Sequence, residues 1–147
     1  MSEVSNTVSG GMLVSNRDTA KMFLFNNDFI TGQVNNSDYD PLTIPGGTLM
    51  GRIATTGMLV PLTSGASDGS QFPIGILAAD YTIEDGATSN VRICVSGTVN
   101  EDMIILQGSN TLETVISSKR LRDRIASDTV GILLESVDQL GQYDNPQ

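Results

Sequence analysis

The chain has 147 residues, with 17 acidic against 8 basic side chains, a formal charge of −9 and no His. A chain of this size is one ordinary domain that buries roughly 70% of its unfolded surface. The charge argues against a phosphate-backbone ligand, which needs clustered Lys and Arg, and the missing His excludes Ser-His, Cys-His and His-ligated metal chemistry.

Four Phe, three Tyr and no Trp, beside 15 Gly, favour many short strands joined by turns over a helical bundle. The expected fold class is mainly β, a β-rich α+β domain with one or two short helices. The N-terminus has neither a basic n-region nor an apolar h-region, and no apolar run reaches 18 residues. A soluble product made in a cytoplasm is therefore expected.

Residues 1–14 read as a flexible arm of Ser, Asn, Thr and Gly, with Val4, Val8 and the triplet Met12, Leu13 and Val14 as its apolar content. The triplet is either an edge strand or a segment that orders against a partner. Residues 15–43 read as a hairpin-like extension: strands at 22–25 and 29–34 around a turn at Asn26, Asn27 and Asp28, then a loop to Pro41.

The body spans 44–138. Residues 48–53 and 58–62 form a predicted hairpin, with Pro61 near an edge or strand end. The unbroken apolar run 74–79 is too short for a buried helix and reads as a core strand covered on both faces. Gly75 in its middle marks a bulge or a close backbone approach. The core-packing residues assigned here are Gly75, Ile76 and Leu77, and their echo near the end of the chain, Gly131, Ile132 and Leu133. Two such strands can pair.

Residues 90–95 alternate Val91, Ile93 and Val95 against Asn90, Arg92 and Cys94, the period of a half-buried strand. Cys94, the single cysteine, reads as a small buried hydrophobe rather than a reactive thiol. Asn110, with Glu113 three residues on, signals a capped helix carrying Leu112, Val115 and Ile116. Leu121 and Ile125 fall on the opposite side of a continuous wheel, so the helix breaks at Ser117 and Ser118. A second short helix follows over 119–126, and then the strand 130–134. Residues 139–147 read as a flexible tail.

Half of the basic residues, Lys119, Arg120, Arg122 and Arg124, lie within one window of six. They form either a docking site for an acidic surface or a solvated face with Leu121 and Ile125 turned inward. The glycine-rich residues 46–52 lack the Gly-Lys-Ser/Thr of a P-loop. The acidic pairs at 84–85 and 101–102 are not embedded in the alternating ligands of a calcium loop. No residue set carries a nameable catalytic mechanism, and no metal or cofactor is expected.

From residue 44 to 137, a series of pieces follows in order: Gly-Gly-Thr-Leu-Met-Gly-Arg-Ile (46–53), Pro-Leu (61–62), Ser-Asp-Gly-Ser-Gln (67–71), Ile-Gly-Ile-Leu (74–77), Gly-Thr-Val (97–99) and Val-Gly-Ile-Leu-Leu (130–134). This order resembles the head decoration (capsid-stabilising) proteins of lambda-like tailed bacteriophages. The resemblance implies a small barrel-like or β-tulip domain, trimeric, seated on the outside of an expanded capsid and clamping neighbouring capsomers. It implies no enzyme activity. The partners implied are the major capsid protein and two further copies of the chain, with no nucleic acid, membrane or small-molecule substrate. The location implied is the outer capsid surface of a virion, after synthesis in the bacterial host cytoplasm.

In such proteins the N-terminal arm reaches the capsid, which makes Val4, Val8, Met12, Leu13 and Val14 the expected capsid-binding residues. Residues 22–29 and 111–125 look like elaborations on the family pattern. Two other readings stand beside this one. A carboxylate-only β hydrolase would need two Asp or Glu with pKa values driven apart in one pocket. A protein- or carbohydrate-binding β module would bind sugars through aromatic platforms, which are scarce here.

Overall fold

The computed structural model describes residues 22–37 and 40–136. The strands are β1 (Phe23–Asn35), β2 (Leu42–Ile44), β3 (Leu49–Arg52), β4 (Leu59–Pro61), β5 (Pro73–Leu77), β6 (Tyr81–Ile83), β7 (Thr88–Asn100), β8 (Val115–Ile116), β9 (Lys119–Arg120) and β10 (Gly131–Glu135). A 3-10 turn at Glu101–Met103 follows β7, and the helix α1 spans Leu121–Asp128. The fold is mainly β.

The main sheet runs β1-β7-β5-β3-β4, with β10 joining β7 in parallel. β7 organises it. One edge of β7 carries β1 along its whole length, while the other carries β5 at Ile93 and Cys94 and then β10 from Ser96 to Asn100. β2 with β6, and β8 with β9, make two small antiparallel pairs. The sheet is not closed into a barrel, which corrects that part of the expectation. Leu59 on β4 packs where a Cβ on Gly32 of β1 would stand, but no ladder joins those strands.

Two apolar layers cover the central strands. On one face Leu49, Ile76, Cys94, Val99 and Ile132 pack with Ile116, Leu121 and Ile125 from the β8–β9 hairpin and α1. On the other, Met50, Leu77, Val91 and Ile93 pack with Val34, Leu59, Ile44 and Ile83. Adjacent residues Ile76 and Leu77, and Ile93 and Cys94, fall in different layers and are all fully buried, which is why β5 reads as continuous apolar sequence rather than as an alternation. Gly75 is where the strands come closest: a Cβ there would lie 2.6 Å from the Cys94 carbonyl oxygen and 2.9 Å from Ile93 Cδ1.

Five further sequence expectations differ from the structure. The hairpin over residues 22–34 is instead the single strand β1. Its Asn26, Asn27 and Asp28 form irregularities in the register with β7, with Asn26 at φ 54. Asn tolerates that left-handed conformation, and the Asn27 amide donates to the Thr98 carbonyl at 3.1 Å. Gly97, at φ 105, faces the irregularity, and a Cβ there would lie 2.5 Å from the Asn26 carbonyl oxygen.

The helix expected from Asn110 is a turn followed by β8. Thr111 and Thr114 side chains take backbone N–H groups at 3.1 and 2.9 Å in place of the capping box. Ser117 and Ser118, at φ 49 and 73, then form the two-residue turn of the β8–β9 hairpin, both in the left-handed region that such turns require. The break after Ile116 therefore exists but is a hairpin turn. It lets Ile116 and Leu121 enter one core, which a continuous helix would not. α1 begins at Leu121, later than expected, because the Leu121 and Arg122 N–H groups donate to the Thr114 and Leu112 carbonyls at 2.7 and 2.8 Å. Those bonds satisfy donors that a capping side chain would otherwise take.

The 130–134 echo does not pair with the 74–77 strand; β10 pairs with β7. Within β10, Ile132 is fully buried but Leu133 is 62% exposed, and a Cβ on Gly131 would touch only the Ser96 Cβ at 3.7 Å. Leu133 and Gly131 are therefore not core-packing positions.

Candidate interaction surfaces

The basic segment is consumed by its own surroundings. Arg122 reaches Glu101 at 2.9 Å and Glu113 at 3.1 Å, and Arg120 reaches Glu113 at 2.9 Å and Asp123 at 3.4 Å. Arg124 pairs with Asp128 at 3.0 Å, donates to the Ile116 and Ser117 carbonyls, and lies 4.8 Å from the Phe72 ring centroid. Lys119 donates to the Ser127 hydroxyl at 3.2 Å. Four carboxylates thus face three guanidinium groups, and the segment ties the hairpin, the 3-10 turn and α1 together. The bond to Glu101 is the main reason the Arg122 guanidinium is held still more firmly in its charged form. A docking field for an acidic surface needs free charge, and this segment presents little.

The Arg122–Glu101 pair, with side chains 33% and 20% exposed, is better shielded than either pair of Arg120, whose members are all about half exposed. Arg122→Ala should cost about 1 kcal/mol of stability, because it strips a charge-assisted bond from a carboxylate that is mostly shielded. Arg120→Ala, at an exposed pair, should cost less than half as much. Thermal unfolding of the two variants measures the difference, and equal costs would contradict it.

A second surface lies at the far end of β7. Phe25 and Leu133 both pair with Thr98, from opposite sides. Cross-strand partners share a sheet face, so the three side chains form one row. Phe25 is 65% and Leu133 62% exposed. Val99 and Ile132, on the other face, are fully buried. Sequence pattern did not single out this row, because each residue sits in a plausible core run and only the register across β1, β7 and β10 brings them together.

One row beyond Thr98, Asn100 donates its N–H to the Met22 carbonyl at 2.8 Å and pairs with Glu135. The chain before Met22 and the chain after Ser136 therefore start from the same end of the sheet. The expected arm residues Val4, Val8, Met12, Leu13 and Val14 lie outside the described residues.

Other chemistry is thinly represented among the described residues. Cys94 is buried; its thiol donates to the Ser96 carbonyl at 3.2 Å and accepts from the Asn27 amide at 3.5 Å. Burial pushes that thiol above its ordinary pKa, which disfavours the nucleophilic thiolate. Asp68 is held below the usual carboxylate range by the hydroxyl and amide of Ser70, as a turn acceptor. Of three surface clefts of about 260, 410 and 210 Å³, only the first is lined by a carboxylate, Asp128, which Arg124 already neutralises. The paired carboxylates that a hydrolase reading requires are not brought together in any of them.

A family model described as bacteriophage lambda head decoration protein D matches residues 25–120. This range runs from Phe25 within β1 to the end of β9, where α1 begins. No curated protein matches the chain.

Proposed function

The chain belongs to the bacteriophage lambda head decoration protein D family, structural proteins associated with the phage capsid, and on that premise we propose that it binds the outer surface of the expanded capsid as a homotrimer and cements neighbouring capsomers. The family match over residues 25–120, about two thirds of the chain, carries the reading. The role is structural rather than catalytic, and the partner is the major capsid protein. Capsid binding runs through the N-terminal arm, with Val4, Val8, Met12, Leu13 and Val14 as its apolar contacts.

Physical considerations support each element. A small domain with open strand edges at β1 and β10 gains from having those edges covered, by sister subunits or by a partner. An extended arm can add a strand to an exposed sheet edge, where main-chain hydrogen bonds supply affinity and alternate apolar side chains fill pockets. Three arms on one body rebind at high effective concentration, so modest contacts hold firmly once all three engage.

Light scattering of the purified protein should give three times the 15.6 kDa chain mass. A species that stays at one chain mass both in solution and on the capsid would remove the trimer from this reading.

A further inference from the structure

We infer that the apolar row Phe25, Thr98 and Leu133, with an acidic rim, is a second contact with the phage shell, made by the folded body and distinct from the arm. It fits an apolar ridge on the shell protein flanked by Lys or Arg. The inference deepens the function proposed above and rests on its premise that capsid binding runs through the N-terminal arm.

Single exposed apolar residues on a surface need no explanation. These two differ in being held in one row, on either side of Thr98, by separate strands, on a face whose other part is covered by core residues. The rim carries charge that the molecule leaves unmatched. Asp28, Asp102 and Glu135 are exposed, and among the described residues none is in an ion pair, whereas Glu101, Glu113, Asp123 and Asp128 all are. Asp28 and Asp102 accept only the hydroxyls of Ser96 and Ser136, each at 3.1 Å. Complementary charge around an apolar centre is what sets partner choice and encounter rate at an interface.

The place of the row identifies its occupant. Residues 1–21 lead into Met22 and residues 137–147 follow Ser136, and Met22 is bonded to Asn100, two residues from Thr98. At about 3.3 Å per residue along a strand, the point where residues 1–21 join the domain is about 7 Å from the row, and a surface gripped beside that junction would lie against the row. A second copy is a poorer occupant. The clustered cations of this chain, Lys119 to Arg124, are engaged with their own carboxylates and hydroxyl, so the one concentrated basic patch among the described residues is not free to complement the rim of a neighbouring copy.

The test uses the full-length chain and expanded, undecorated capsids in a co-sedimentation assay, with light scattering on the same samples. Phe25→Ser and Leu133→Ser should each weaken binding about tenfold or more, the size of effect expected of a central apolar contact. Val115→Ser, an equally exposed position on the β8–β9 hairpin, should bind like the parent. Asp28→Asn with Glu135→Gln should flatten the salt dependence of binding. Because both apolar side chains are exposed, melting and oligomeric mass should not change.

Parental binding by both serine variants would overturn the inference. A fall in oligomeric mass would also overturn it, by assigning the row to a contact between copies. An arm-truncated protein run in parallel separates the two claims. Loss of binding there, with parental binding in the serine variants, removes the row and keeps the arm; parental binding in every variant removes both.

Discussion

Gly75→Val is expected to cause a large loss of stability, and Gly131→Val almost none, although the two glycines occupy matching positions in similar sequences. At Gly75 a Cβ would sit 2.6 Å from the Cys94 carbonyl oxygen. That oxygen belongs to the backbone of β7, which is held by β1 along its other edge, so it cannot move aside without disturbing ladders on both sides. The valine methyls add to the conflict beside Ile93, which is fully buried. Overpacking of this kind costs about 1–3 kcal/mol, and more where backbone must shift. For a domain near 150 residues each kcal/mol lowers the melting temperature by about 2–4 °C, so a fall on the order of 10 °C is expected. At Gly131 a Cβ meets only the Ser96 Cβ at 3.7 Å, an ordinary contact, and the melting temperature should stay within a few degrees. Equal shifts for the two variants in thermal unfolding would contradict this account of the core.

Deleting residues 2–14 is expected to have the opposite profile: melting nearly unchanged, capsid binding sharply reduced. The segment is short of apolar side chains. Its apolar residues, Val4, Val8, Met12, Leu13 and Val14, are too few to offset an ordering cost of about 1–2 kcal/mol per residue without a partner. On the proposed reading the capsid would supply hydrogen bonds and pockets, and trimerisation would compound the gain by as much as about 10²–10⁴ in affinity. Loss of the arm should therefore weaken co-sedimentation by orders of magnitude. Full binding by the truncated protein would falsify the arm as the principal contact and leave the Phe25–Leu133 row to carry it.

The core strand was legible because its signal is local. The apolar run 74–79 has the right length for a strand, although β5 takes Pro73–Leu77, and Gly75 is a small residue among bulky neighbours, which marks close approach whatever the partner. The 48–62 hairpin was legible for the same reason, with its turn residues adjacent in sequence. What stayed hidden depends on residues far apart. Asn26, Asn27 and Asp28 have the composition of a turn, and only a partner strand as long as β7 turns them into a bulge. The capping signature at Asn110 and Glu113 is real chemistry that lost to tertiary demand, since both Ile116 and Leu121 are wanted in one core and a two-residue turn at Ser117 and Ser118 delivers them.

The interaction surfaces divide in the same way. The basic cluster was conspicuous because four cations stand close in sequence, yet Glu101 and Glu113, which neutralise it, come from outside that window. Leu133 was assigned to the core from its resemblance to Leu77. In β10 the alternation of a single sheet face turns it outward, because β10 lies beyond the part of β7 that is covered on both sides. Phe25 sits in a Phe-rich stretch whose other members, Phe23 and Phe29, pack edge to face with centroids 5.2 Å apart. Nothing local separates the exposed ring from the packed pair.

The most direct measurement is electron cryomicroscopy of expanded, undecorated capsids incubated with a saturating amount of the protein. The account predicts density on the outer surface in groups of three subunits at local three-fold positions. Each body should touch more than one capsomer, with the Met22 and Ser136 end turned toward the shell. Bare capsids, or single subunits each confined to one capsomer, would contradict it.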